Sequence, residues 1–130
     1  QLLTGVNLTF DGYGIESAAT DGHRLAVLNL NNILLDLKET DKTLDFEKFS
    51  ITLPSKSLRE VEKFLSSCDN NQPVNFFIDK GQVVFISSDE IITIRALEGN
   101  YPNYSQLLPE TFENVLEFDR KEFIWCADIS

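Results

Sequence analysis

The chain has 130 residues, 42% of them hydrophobic, and its 21 acidic and 11 basic residues give a net charge of −10 at pH 7. This length suits one domain with a real core, and no apolar run approaches the ~20 residues of a membrane span. One His and two distant cysteines, Cys68 and Cys126, cannot supply the ligands of a metal site, so no metal is expected. No other cofactor is expected either. The excess of acidic residues argues against a nucleic-acid-binding domain unless the Lys and Arg side chains are clustered on one surface.

The first part of the chain is predicted to be β-structure. Apolar and polar residues alternate at 2–10 and 49–53, which predicts strands there, and two further strands are predicted at 15–20 and 25–30, joined through Asp21-Gly22. Asp-Gly-Tyr-Gly at 11–14 is typical of a hairpin turn, and the polar residues 31–48 are predicted to form a surface connection. Pro54 is expected to end the fourth strand.

A helix is predicted over 55–67. Apolar residues recur there at helical spacing, at Leu58, Val61, Phe64 and Leu65. Ser57 and Glu60 have the form of a capping box, and Ser55 is an alternative cap.

Strands return in the second half. They are predicted at 74–78, 82–87, 91–97 and 115–118. Asp119 then caps a second helix, with Glu122 at the reciprocal position. A short internal repeat relates 53–58 to 118–123, since both join a strand end to a helix start. The pattern predicts an α+β fold in which helices cover antiparallel sheets.

The turn Asp21-Gly22-His23-Arg24 is the first candidate functional site. Asp21 could orient His23 as the general base of a hydrolase, although no motif presents a nucleophile. The turn could instead satisfy its own backbone, as Asp-Gly turns commonly do. In a third interpretation, His23 and Arg24 line the rim of an apolar groove. The segment alone leaves these alternatives open.

Two other segments have a functional and a structural interpretation. Residues 97–109 contain two Tyr and two Pro, which suits either a stiff binding loop or a rigid linker. On the predicted helix, Lys56, Arg59 and Lys63 fall within a stripe of about 60°, opposite the apolar face. Such a stripe can follow nucleic-acid phosphates without reading bases, or it can be an ordinary solvated face.

Two motifs carry a family resemblance. Ala-Thr-Asp-Gly-His-Arg-Leu-Ala at 19–26 and Glu-Gly-Asn-Tyr-Pro-Asn-Tyr at 98–104 resemble the middle domain of the bacterial DNA polymerase III β subunits, the sliding clamps. Residues 1–109 match that domain without its first strand and helix, and 110–130 match the first strand and helix of the third domain. The resemblance implies the DNA-clamp (processivity) fold and a fragment of its duplicated strand-helix-three-strand unit, with helices on one face of antiparallel sheets.

The resemblance also implies a function. Family members are rings, usually homodimers, that encircle double-stranded DNA without catalysing a reaction, which implies a cytoplasmic, nucleoid-associated protein with no membrane partner. Lys56, Arg59 and Lys63 would face the duplex. The replicative polymerase subunit, the clamp loader and other partners insert a short peptide, roughly Gln-Leu-x-Leu-Phe, into a cleft between the second and third domains. The matching cleft residues are Leu3, Thr20, Gly22, His23, Arg24, Leu25, Pro102, Gln106 and Leu107.

The chain departs from the family pattern in the second motif. Asn100 replaces a usual Arg, and Ser105-Gln106 replaces a basic pair. These changes are expected to weaken contacts to acidic partner residues. Part of the cleft wall in the family comes from the far end of the third domain, so the chain is expected to hold a partial site. The remaining alternatives are a stand-alone interaction module unrelated to replication and a hydrolase using Asp21 and His23.

Overall fold

Two antiparallel sheets form the framework of the chain in a computed structural model that describes residues 2–11, 14–31 and 48–129. The first sheet has the order β3-β2-β1-β4, with β1 at Gly5–Phe10, β2 at Gly14–Thr20, β3 at Leu25–Asn31 and β4 at Phe49–Pro54. The second has the order β5-β6-β7, with strands at Asn75–Asp79, Gln82–Ile86 and Ile91–Arg95. Helix α1 is Ser55–Ser67 and helix α2 is Arg120–Asp128, and 3₁₀ helices lie at Leu2–Thr4 and Tyr104–Leu107. The predicted α+β class is confirmed.

The core lies where α1 packs onto both sheets. Leu53 of β4 and Val83 of β6 are fully buried, and Val61 and Phe64 face them from α1. The sheets are also joined directly, because the backbone N–H of Leu97 donates to the carbonyl of Thr52 at 2.8 Å. The helical spacing found in the sequence therefore identifies the buried face of α1 at Leu58, Val61 and Phe64, whereas Leu65 is 43% exposed.

The start of β1 and the end of β4 lie side by side in the first sheet. Leu2–Thr4 form a 3₁₀ helix, and β1 begins only at Gly5, where an added Cβ would lie 2.8 Å from the Leu97 side chain. Pro54 ends β4 as expected, since it is the last residue of the strand and lies opposite Gly5. A proline fits this position because a strand end requires no further ladder hydrogen bond.

The capping box predicted for α1 is wrong. Pro54 is the N-cap residue, and no side chain caps the helix. Ser55 Oγ instead donates to the carbonyl of Thr4 at 2.6 Å, which fastens the start of α1 to the 3₁₀ helix. Ser57 lies inside the helix, where its hydroxyl cannot reach the first N–H groups.

The C-terminal segment is the most exposed part of the described chain. All side chains from residue 105 to residue 129 are exposed, and Trp125 is 76% exposed. Asp119 caps α2 as predicted, because its Oδ1 accepts from the N–H groups of Lys121 at 2.9 Å and Glu122 at 3.1 Å. The predicted strand at 115–118 is wrong, since within residues 48–129 this segment pairs with no sheet.

Other predicted features fall partly outside the described residues. Only Asn31 and Lys48 of the predicted connection 31–48 are described. The predicted turn at 11–14 is seen at its two ends, where Gly14 N–H donates to Asp11 Oδ1 at 2.9 Å. In the described ranges, no helix is long and apolar enough to cross a membrane.

Candidate functional site

Asp21 closes the turn between β2 and β3. Its Oδ1 accepts from the backbone N–H groups of His23 and Arg24, each at 3.0 Å, and its Oδ2 accepts from Arg24 Nε at 2.9 Å. The hydrogen bonds from the two N–H groups and from Arg24 hold the pKa of Asp21 below its usual range. Gly22 supplies the φ of +90° that the turn requires.

This geometry does not form the catalytic pair considered from the sequence. The hydrogen bonds of Asp21 go to backbone N–H groups and to Arg24, and none of them reaches the His23 imidazole. A general base needs a partner that fixes its orientation and tautomer, and Asp21 does not serve His23 in this way. The turn therefore satisfies its own polar groups, while His23 and Arg24 remain exposed at its tip.

Thr20 connects this turn to the second motif. Its Oγ1 donates to the carbonyl of Arg24 at 2.7 Å and accepts from Gly22 N–H at 3.1 Å. Its backbone N–H donates to the Tyr101 hydroxyl oxygen at 3.1 Å, across 81 residues of sequence. The two motifs found in the sequence therefore meet at the end of β2.

The 97–109 loop is fastened to β2 at a second point. Tyr104 donates a hydrogen bond to Glu16 Oε1, and burial together with this bond raises the pKa of Tyr104 to about 12. The rings of Tyr101 and Tyr104 meet edge to face with centroids 6.3 Å apart. Asn103 accepts from Ser105 N–H and so caps the short 3₁₀ helix. The loop is thus packed on the sheet.

A shallow cleft of about 350 Å³ lies where the start of β1, the end of β2 and the start of β3 meet. Four of the nine predicted cleft residues line it, namely Leu3, Thr20, Arg24 and Leu25. Leu3 is exposed, Leu25 is half-buried, and the Arg24 side chain is 89% exposed. The cleft thus combines apolar side chains with a cation at its rim.

The other predicted residues lie around this cleft in different settings. Gly22 and His23 are exposed in the turn, and Gln106 and Leu107 are exposed on the 3₁₀ helix, with Leu107 72% exposed. Pro102 lines a second cavity of about 540 Å³ beneath the loop.

That second cavity contains a polar network that the sequence analysis missed. Buried Asn7 of β1 donates through Nδ2 to Ser50 Oγ at 2.8 Å and to Thr52 Oγ1 at 3.1 Å, both on β4. A polar residue alternating with Val6 and Leu8 was the available signal, because neighbouring strand residues face opposite sides of a sheet.

The basic stripe forms as predicted on α1. Lys56, Arg59 and Lys63 are exposed, and buried Val61 and Phe64 belong to the core-facing side of the helix. Acidic residues reduce the charge of this surface, since Glu60 Oε1 lies 3.2 Å from Lys63 Nζ and Glu62 is exposed beside Arg59. In the described residues, no three His, Cys, Asp or Glu side chains are grouped so as to hold a metal ion.

The comparisons with known proteins agree with one another. Residues 1–103 match the family model described as DNA polymerase III beta subunit, central domain. The chain is 40% identical over 124 residues to the beta sliding clamp of Synechococcus elongatus, an alignment that covers 95% of this chain and 31% of that protein. The chain thus spans about a third of the length of the curated relatives that it matches.

Solved structures show the same fold. The crystal structure of the Bacillus subtilis DNA polymerase sliding clamp matches with a TM-score of 0.65 and 32% identity, over 85% of this chain and 26% of that one. A putative DNA polymerase III beta subunit from Eubacterium rectale matches with a TM-score of 0.78 over 98% of this chain and 32% of that one. The second likeness, at 20% identity, concerns the fold alone. The predicted clamp fold is confirmed.

Proposed function

Because the chain belongs to the DNA polymerase III beta subunit family, we propose that it is part of a sliding clamp, a replication processivity factor with no catalytic activity of its own. Residues 1–109 correspond to the middle domain in this proposal, and 110–130 correspond to the start of the third. The intact clamp is a homodimeric ring around double-stranded DNA in the bacterial cytoplasm, associated with the nucleoid. The family match over 1–103 supports this assignment.

The cleft is proposed to dock short linear peptides of partner proteins, with the replicative polymerase subunit and the clamp loader among them. The hydrogen bond from Thr20 N–H to the Tyr101 hydroxyl carries this proposal, because it brings both family motifs to the same place. Leu3 and Leu25 offer apolar area, and Arg24 offers donors at the rim. The proposed peptide-binding residues are Leu3, Thr20, Gly22, His23, Arg24, Leu25, Pro102, Gln106 and Leu107.

Peptide titration tests this proposal. We expect Gln-Leu-Ser-Leu-Phe to bind the 130-residue chain with micromolar affinity or weaker. The binding free energy should therefore be no more favourable than about −8 kcal/mol. NMR shifts are expected at the amides of His23 and Leu25. Leu25→Ala should lower the affinity about tenfold, because it removes apolar area from the cleft.

A matched control comes from the same strand. Leu28 lies on the opposite face of β3 and is itself exposed, so Leu28→Ala removes a similar side chain without touching the cleft. Tyr101→Phe should also weaken binding, because it frees the loop from Thr20. Equal losses in the Leu25 and Leu28 variants, or shifts confined to other surfaces, would contradict docking in this cleft.

The basic stripe of α1 is proposed to contact DNA phosphates without sequence preference. Lys56, Arg59 and Lys63 are exposed along one side of the helix. Because Glu60 and Glu62 partly offset their charge, the contact should be weak and sensitive to salt, which suits a protein that slides.

This contact is measurable as a salt dependence. Changing Lys56, Arg59 and Lys63 together to Gln should lower the slope of log affinity for duplex DNA against log salt by up to about three. The matched control changes Lys48, Lys80 and Arg95 to Gln, which removes the same charge from positions outside the two helices. The proposal is wrong if both variants lose affinity equally.

A further inference from the structure

The loop that carries the second motif and the segment that follows it are acidic. From residue 96 to residue 119 the sequence has no Lys or Arg. Its acids in that stretch are Glu98, Glu110, Glu113, Glu117 and Asp119, all of them exposed. The loop that carries the second motif, and the chain leaving it, therefore contribute negative charge alone.

Arg24 does little to offset this charge. Its Nε lies 2.9 Å from Asp21 Oδ2, so the cation at the rim already has an anionic partner. The two backbone N–H groups that donate hydrogen bonds to Asp21 favour its ionised form, which keeps the Asp21–Arg24 pair ionic at neutral pH. On β2, Glu16 accepts a hydrogen bond from Tyr104, which is not a cation.

Gly99, the residue that follows Glu98, lies close to the segment at the Leu3 end of the cleft. The position of a Cβ on Gly99 is 3.2 Å from the Leu2 side chain, and Leu2 immediately precedes Leu3. The residue after Glu98 is therefore near the segment that continues into the cleft at Leu3. The loop also contains the uncharged polar residues Asn100, Asn103, Ser105 and Gln106.

We propose that this cleft selects short apolar peptides flanked by Lys or Arg and discriminates against peptides flanked by Asp or Glu. This inference depends on the proposed peptide docking and names the ligand class of the same site. The apolar anchor is held by Leu3 and Leu25, and the acidic loop that Tyr101 joins to Thr20 attracts a basic flank. The net charge of −10 acts in the same direction on the association rate.

Two labelled peptides test the selection. Both contain Gln-Leu-Ser-Leu-Phe, and one continues with Lys-Lys while the other continues with Glu-Glu. In fluorescence anisotropy titrations of the 130-residue chain, we expect the basic peptide to bind about tenfold more tightly at about 0.05 M salt. The difference should fall to about twofold at about 0.5 M salt, where exposed charges are screened.

A charge reversal at Glu98 distinguishes attraction of the peptide by this residue from attraction by the net charge of the chain. Glu98→Lys should reduce the preference for the basic peptide about threefold or more. Glu90→Lys changes the net charge equally, yet Glu90 lies near Cys68 at the end of α1, about 20 Å along the helix from Ser55 at the cleft. This control should leave the preference nearly unchanged.

The outcomes distinguish the two proposals. Binding of neither peptide overturns the docking proposal and this inference with it. Equal binding of both peptides at low salt, or tighter binding of the acidic one, leaves docking intact and overturns the charge selection alone. Equal effects of Glu98→Lys and Glu90→Lys overturn the assignment of that selection to the cleft.

Discussion

Tyr104 and Glu16 are joined by a hydrogen bond from the phenol to the carboxylate, which ties the second motif to the middle of β2. Tyr101 holds the same loop to Thr20, four residues further along the strand. Since Thr20 Oγ1 also accepts from Gly22 N–H and donates to the Arg24 carbonyl, the loop and the turn share one set of polar contacts. The shape of the proposed cleft therefore depends on residues such as Glu16 that do not line it.

This link predicts a step in the alkaline titration of tyrosine. The pKa of Tyr104 is raised from 10.0 to about 12, so its contribution to stability is complete below pH 10 and is lost as the pH rises to about 12. Tyrosinate absorbance of the folded chain should therefore show one residue ionising at about pH 12. Tyr104→Phe should remove that step, and its persistence in this variant would contradict the assignment.

Asp21→Ala is predicted to loosen the turn without unfolding the sheets. The variant frees the N–H groups of His23 and Arg24, so their hydrogen exchange should accelerate about tenfold or more while that of β6 stays unchanged. Asp89 lies in another turn, and in the described part of the chain its carboxylate accepts no hydrogen bond. Asp89→Ala is therefore the control. Equal acceleration in both variants would contradict the role of Asp21.

The same carboxylate predicts an acid limit for the turn. Because its folded pKa lies below the ordinary 3.8, the stabilising contribution of Asp21 is present above that value and is lost as the pH falls through the folded pKa. Chemical shifts of the Arg24 amide should therefore stay constant down to about pH 4 and change below it. A change centred above that pH would contradict the direction of the shift.

Gly5→Ala is predicted to destabilise the fold by about 1–3 kcal/mol. Its Cβ would lie 2.8 Å from both Leu97 Cδ1 and Thr52 Cγ2 and 2.9 Å from the carbonyl oxygen of Leu53, and the last of these is backbone that cannot move aside freely. Gly22→Ala provides the comparison, because nothing lies within 4 Å of its Cβ and its cost is backbone strain of about 1 kcal/mol. Thermal unfolding should rank Gly5→Ala as the more harmful change.

Asp119→Ala is predicted to weaken α2 by about 1 kcal/mol, because two N–H groups of the first turn lose their acceptor. The amides at the start of α2 should exchange faster. Asp128→Ala is a control of opposite sign, since a carboxylate at a helix C-terminus opposes the helix dipole. A larger loss of helix from Asp128→Ala would contradict the capping role of Asp119.

Local patterns predicted the elements whose causes are local. Helix α1 has the predicted bounds because its apolar spacing and its burial share one period. The 3₁₀ helix at Leu2–Thr4 was missed, since it depends on the packing of Gly5 against distant Leu97. The 115–118 segment contains Val and Phe, which favour strands, yet a strand requires a neighbouring strand that its own sequence cannot supply.

The same distinction between local and long-range causes applies to the candidate site. The Asp21 turn was visible because Asp-Gly has a local conformational reason to turn. The hydrogen bond between Thr20 and Tyr101 spans 81 residues and has no periodic signature, so the motifs could be associated only through the family resemblance. The polar network at Asn7 was missed because its partners on β4 are brought close only by strand pairing.

The exposed position of Trp125 determines what a fluorescence experiment on this protein reports. It is the single tryptophan of the chain and lies on α2, away from the core formed by α1 and the two sheets. Its emission should already resemble that of a solvated indole in the folded chain and follow the local environment of α2. Global unfolding of the sheets is therefore better followed by circular dichroism or by the amides of β1 and β6.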